Sequence, residues 1–87
     1  MKEQTTKTYR YFRSSDFYLV AFLFAKGAVL VGIDKTNPKR AIFAFEKSAE
    51  MEQEADDYLN NRASVNPKVF MYAIKELKQK LYSNTPY

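Results

Sequence analysis

The chain has 87 residues, with no cysteine, no histidine and two glycines, Gly27 and Gly32. These absences exclude disulfide staples, thiolate metal ligands, cysteine nucleophiles, the usual neutral-pH general base and a glycine loop that cradles phosphate. What remains is a small binding or interaction domain of net charge +4, for which the reading expects no enzyme activity, no metal and no cofactor.

The positive charge is unevenly spread. Residues 1–40 carry eight cationic side chains against three acidic ones, a net of +5. Residues 46–57 carry six acids against Lys47, a net of −5. Residues 58–87 carry five cations against Glu76, a net of +4. An acidic segment is thus bracketed by basic ones, a field that can steer a polyanion to one face. Aromatic residues reach 16%, with seven Phe, seven Tyr and no Trp. Large rings fill a small core economically, and exposed rings also serve for stacking.

Residues 1–7 read as a polar tail. Residues 8–13 (Thr-Tyr-Arg-Tyr-Phe-Arg) alternate with period two and predict a short strand. Ser14-Ser15-Asp16 is a helix start, read with Ser15 as N-cap and Asp16 in the first turn. Phe17–Ala25 follows and is apolar nearly all round, so it must be covered on several sides or share a face with a partner. Lys26-Gly27 closes it.

Residues 28–33 (Ala-Val-Leu-Val-Gly-Ile) read as a buried strand. Asn37-Pro38 marks a turn, and residues 40–46 alternate with Ala41, Phe43 and Phe45 on one face. The two runs predict a hairpin over 28–46. Ser48 caps the next helix, with Glu50 and Glu52 in its first turn and Met51, Ala55, Tyr58 and Leu59 as its apolar face. Asn60-Asn61 ends it. Asn66-Pro67 starts a last helix whose apolar stripe is Phe70, Ala73, Ile74, Leu77 and Leu81. Residues 84–87 form a tail. The order is β-α-β-β-α-α, an α+β domain over 8–83 with a small antiparallel sheet packed against three helices.

Arg13-Ser14-Ser15-Asp16, the apolar run to Leu23, Lys26-Gly27, Phe43-Ala44-Phe45 and Leu77-Lys78 together resemble a family of small uncharacterised prokaryotic and phage domains. The resemblance covers roughly residues 11–82. It implies a compact domain of bacterial, archaeal or mobile-element origin, and no catalytic residues.

The acidic residues 50–57 pair along a helix but lie opposite its apolar stripe, which reads as a solvated face. Ser14 and Ser15 have no visible base partner as nucleophiles. As a helix start behind Arg13 they can instead hold an anion, although Asp16 competes for the same place. Residues 40–45 alternate like a strand of an RNA-recognition module but lack its glycines. Helices 48–60 and 66–82 lack the base-reading cluster of a helix-turn-helix.

The best functional signal is base interleaved with aromatic rings. Arg10, Tyr11 and Arg13 lie on the first strand. Lys35, Lys39 and Arg40 extend the track at the hairpin turn, and Lys68, Lys75 and Lys78 line the last helix. Rings stack on bases while Lys and Arg neutralise phosphates. The sequence therefore predicts a DNA- or RNA-binding protein of low sequence specificity. A second reading is a protein-interaction module, a phage or mobile-element accessory factor or a homodimer, docking on a host protein through helix 17–25. The longest apolar run is nine residues, against about 20 for a membrane span. With no cysteine, this places the expected site of action in the cytoplasm, away from membranes.

Overall fold

The computed structural model of the chain describes residues 10–37 and 39–83. The expected tails 1–7 and 84–87, residues 8–9 of the expected first strand, and Pro38 of the turn lie outside the described residues. The elements are β1 (Tyr11–Ser14), α1 (Phe17–Ala25), β2 (Leu30–Asp34), β3 (Ile42–Glu46), α2 (Ala49–Leu59) and α3 (Pro67–Leu81). This is the expected β-α-β-β-α-α order and an α+β fold.

The three strands form an antiparallel sheet in the order β1-β3-β2. The expected hairpin is the β2–β3 pair, and β1 adds to the other edge of β3. Phe12 stands opposite Phe45 and Ser14 opposite Phe43. The strand therefore runs through Ser14, one residue beyond its expected end. On β2, Leu30 faces Phe45 and Ile33 faces Phe43, although they are three positions apart. Strict alternation would put the two on opposite faces. A bulge between Leu30 and Gly32 inserts Val31, and this rephasing turns both Leu30 and Ile33 into the core.

α1 does not start as the sequence predicts. Its N-cap is Asp16, not Ser15: the Asp16 backbone is extended and its carboxylate accepts from the Leu19 N–H at 3.3 Å. The Ser14 hydroxyl accepts from the Asp16 N–H at 3.0 Å, which aims the cap. At the other end Gly27 takes a φ of 98°, a left-handed turn that a β-carbon resists.

α1 is the middle of the molecule. Leu19, Val20, Ala21, Phe22 and Leu23 are each 5% exposed or less. Their core also takes in Phe43 and Phe45 from the sheet, Met51 and Ala55 from α2, and Leu77 from α3. An apolar helix needs cover all round, and the chain itself supplies it. Within helix 17–25, Tyr18 is 60% exposed and lies outside that core.

α2 is capped by Ser48, whose hydroxyl accepts from the Met51 N–H at 3.0 Å. Its expected apolar face is corrected at one residue. Leu59 is 67% exposed, while Tyr58 packs on Phe22 with ring centroids 5.5 Å apart. α2 ends at Asn60, and Asn61 follows with a φ of 60°. α3 starts at Asn66, whose side chain accepts from the N–H groups of Lys68 and Val69, with Pro67 in its first turn. The helices lie on one face of the sheet. The other face carries the exposed Tyr11 and Arg13 and the half-buried Ile42 and Ala44.

Candidate nucleic-acid interface

The basic residues of the sequence fall into three groups. One forms a cleft of about 290 Å³ between the start of α1, the β2–β3 loop and the end of α3. Lys39 and Arg40 come from the loop and Lys78 from α3. Phe17, Ala41 and Leu81 supply apolar lining, and Tyr82 stands at the side, 76% exposed. No carboxylate lines the cleft. Among the described residues, none of the three cations is in an ion pair.

Local chemistry holds the cleft in shape. Asn37 closes the loop: its side chain accepts from the Lys39 N–H at 2.9 Å and its carbonyl from the Arg40 N–H at 3.0 Å. Arg40 then donates through Nε to the Ser15 hydroxyl at 2.9 Å. That bond uses Nε, and among the described residues the two terminal nitrogens of the exposed Arg40 make no further hydrogen bond. A guanidinium so held presents a fork suited to phosphate.

The expected anion site is altered in its parts. The Ser14 hydroxyl accepts from the Asp16 N–H, and the Leu19 N–H in the first turn of α1 is taken by the Asp16 carboxylate. Ser15 lines the cleft and orients Arg40. Lys35, expected on the phosphate track, donates to the carbonyls of Lys80 and Ser83, both at 3.0 Å. A cation beside the last carbonyls of a helix matches its dipole, and here it joins the Ser83 N–H on the Lys80 carbonyl. Lys35 is therefore a clamp on α3.

The second group is on α3. Lys68 and Lys75 are exposed, and so are Tyr72 and Tyr82. Tyr72, Lys75, Gln79 and Tyr82 follow helical spacing on the side away from Leu77, so a basic and aromatic stripe runs into the cleft. Lys68 lies ten residues before Lys78, roughly 15 Å along the axis. The third group, Arg10, Tyr11 and Arg13, lies on or beside the edge strand β1 and apart from the cleft lining. The Arg10 carbonyl accepts from the Lys47 N–H at 2.6 Å, which pins the start of β1 beside the end of β3. Across the sheet, hydrogen bonds from Thr36 hold the Asp34 carboxyl below its ordinary pKa, and Arg13 adds to the effect.

Phe17, Tyr72 and Tyr82 were not singled out as functional by sequence reasoning. The signal for Tyr72 was present, since assigning Phe70, Ala73, Ile74 and Leu77 to the core leaves Tyr72 and Lys75 outside. Phe17 belongs to an apolar run in which no residue stands out.

The acidic face is elsewhere and largely self-satisfied. Arg62 pairs with Asp56 and Asp57 at 3.3 and 3.5 Å, and Lys26 lies 3.9 Å from Glu54. Lys26 also donates to the Ser64 carbonyl at 3.1 Å. Burial, with the Asp16 charge adding, pushes the Tyr58 phenol above its ordinary pKa. Among the described residues, no group of three or more His, Cys, Asp or Glu side chains is placed to hold a metal ion, and no helix is long and apolar enough to cross a membrane.

A family model matches residues 9–83, a span that takes in all the described residues. The chain belongs to DUF5659, a domain family of unknown function. The family match spans every element from β1 to the end of α3, including all the cleft residues. No curated protein and no solved structure matches the chain.

Proposed function

We propose that this protein binds nucleic acid through the Lys39/Arg40/Lys78 cleft and the exposed stripe of α3, with little sequence specificity. One observation carries the reading. Three cations from two distant parts of the chain, Lys39 and Arg40 of the β2–β3 loop and Lys78 of α3, converge on one cleft with no carboxylate among its lining residues. Cations left unpaired beside one another repel, and a polyanion relieves that repulsion while releasing its own counterions. The flanking rings of Tyr72 and Tyr82 add stacking surface. The side chains in reach form few fixed donor pairs for base edges, which argues for contact with the backbone rather than sequence reading. The setting proposed is the cytoplasm of a prokaryote, with the protein encoded by the host, a phage or a mobile element.

The test is a fluorescence-anisotropy titration comparing two triple variants of equal charge change. Lys39→Ala, Arg40→Ala and Lys78→Ala should abolish binding at low salt. Lys26→Ala, Lys47→Ala and Arg62→Ala, on the acid-paired side, should retain it. Equal losses in the two variants would reduce the effect to net charge and remove the cleft from the account.

A further inference from the structure

We infer that the cleft seats one unpaired nucleotide, so that the protein prefers single strands to duplexes. This rests on the nucleic-acid reading above and names the form of ligand that the cleft takes. The argument is that the cleft is bipolar. Its rim is cationic, with Lys39, Arg40 and Lys78, while Phe17, Ala41 and Leu81 form an apolar wall. A duplex offers such a site only half of what it asks for. Its phosphates lie outside, but its base faces are stacked within the helix and cannot reach the wall. A single strand presents both a phosphate and the flat face of a base within one nucleotide.

Size points the same way. Sites for drug-sized molecules start at about 300 Å³. At about 290 Å³ the cleft is at the small end of that range, a size that suits a single nucleotide. Tyr82 stands over its side on the C-cap of α3, and its backbone N–H donates to the Lys78 carbonyl at 3.0 Å. The ring is therefore carried on an ordered backbone while its face stays free. Arg40 binds the phosphate through the nitrogens that Ser15 leaves unused, and the base lies between Tyr82 and the apolar wall.

The test is a competition titration at low salt with three probes: a 15-mer of deoxythymidine, a 15-base-pair duplex and thymidine monophosphate. The expected result is binding of the 15-mer at least about tenfold tighter than the duplex, with the monophosphate far weaker than either. Tyr82→Ala, at a solvent-exposed position, should weaken the 15-mer by at least about fivefold and leave the duplex unchanged, while Tyr82→Phe restores it. Arg40→Ala should weaken both polymers. Equal affinity for strand and duplex, untouched by Tyr82→Ala, would overturn the inference and leave the electrostatic reading standing. Monophosphate binding as tight as the 15-mer would make a free nucleotide the ligand and overturn it as well. No binding of any probe would fail both readings together.

Discussion

Arg40 donates through Nε to the hydroxyl of Ser15 at 2.9 Å, and the two residues are 25 apart in sequence. The bond joins the β2–β3 loop to the start of α1. It fixes one guanidinium in a cleft where the other two cations, Lys39 and Lys78, arrive on flexible stems. Arg40 should therefore be the least replaceable of the three. Arg40→Lys keeps the charge but loses both the fork and the Ser15 bond. It should weaken oligonucleotide binding nearly as much as Arg40→Ala in anisotropy titrations, whereas Lys39→Arg should be neutral.

Ser15→Ala tests the same bond from the other side. It removes no charge, so a purely electrostatic surface would not notice it. The account expects a loss of about twofold to tenfold in affinity with an unchanged salt slope. Circular dichroism should show an unchanged fold, because Ser15 is not the cap of α1.

Lys35 separates structure from binding. Its ammonium holds the carbonyls of Lys80 and Ser83, so Lys35→Met should destabilise the fold by about 1–3 kcal/mol in urea titrations. Binding by the folded variant should change less than twofold. A large loss of affinity without loss of stability would return Lys35 to the phosphate track.

The core rests on α1 and on what covers it. Leu77, fully buried, projects from α3 into that contact. Leu77→Ala should cost about 2–5 kcal/mol, since the surrounding helices cannot close the cavity completely. For a domain of this size such a loss is a large share of the whole stability. Val69→Ala, at an exposed position on the same helix, should stay within about 0.5 kcal/mol.

Two groups set a pH dependence at opposite ends of the scale. Asp34 titrates below its ordinary 3.8 because Thr36 donates to it. A carboxyl with a lowered native pKa favours the fold above 3.8, and that contribution fades as the pH drops through the native value. Thr36→Ala should thus move acid unfolding to higher pH. Tyr58 titrates above its ordinary 10.0, so its contribution is complete below pH 10 and fades as the pH rises through the native value. Tyr58→Phe should flatten the alkaline loss. Unfolding monitored from pH 2 to 12 reads both.

Much of the fold was legible because the signals were local. Ser48 and Asn66-Pro67 announce helix starts by the chemistry of free N–H groups, and the alternation through Phe43 and Phe45 marks the inner face of a strand. Three features were not legible. The bulge at Val31 depends on how β2 meets β3, which no local pattern records. The cap at Asp16 rather than Ser15 is decided by β1 continuing through Ser14, a pairing with Phe43 across the sheet. The cover over α1 comes from α2 and α3, so sequence alone left open whether a partner supplied it.

The site was legible in its residue types but not in its grouping. Lys39, Arg40 and Lys78 all stood out as cations, yet nothing in the sequence unites positions about 40 residues apart. The clamp by Lys35 was hidden for the same reason, since its partners are backbone carbonyls at the far end of the chain. Arg10, Tyr11 and Arg13 had the most conspicuous pattern, and they lie on or just before an edge strand, outside the cleft lining.

The measurement that bears most directly on the central claim is the affinity of the wild-type protein for a labelled single-stranded oligonucleotide at several salt concentrations, repeated with Arg40→Ala. The account predicts binding at low salt that falls linearly in log affinity against log salt. The variant's slope should be shallower by about 0.7 for each phosphate contact it loses. Absence of binding at low salt, or binding whose slope Arg40→Ala leaves unchanged, would contradict it.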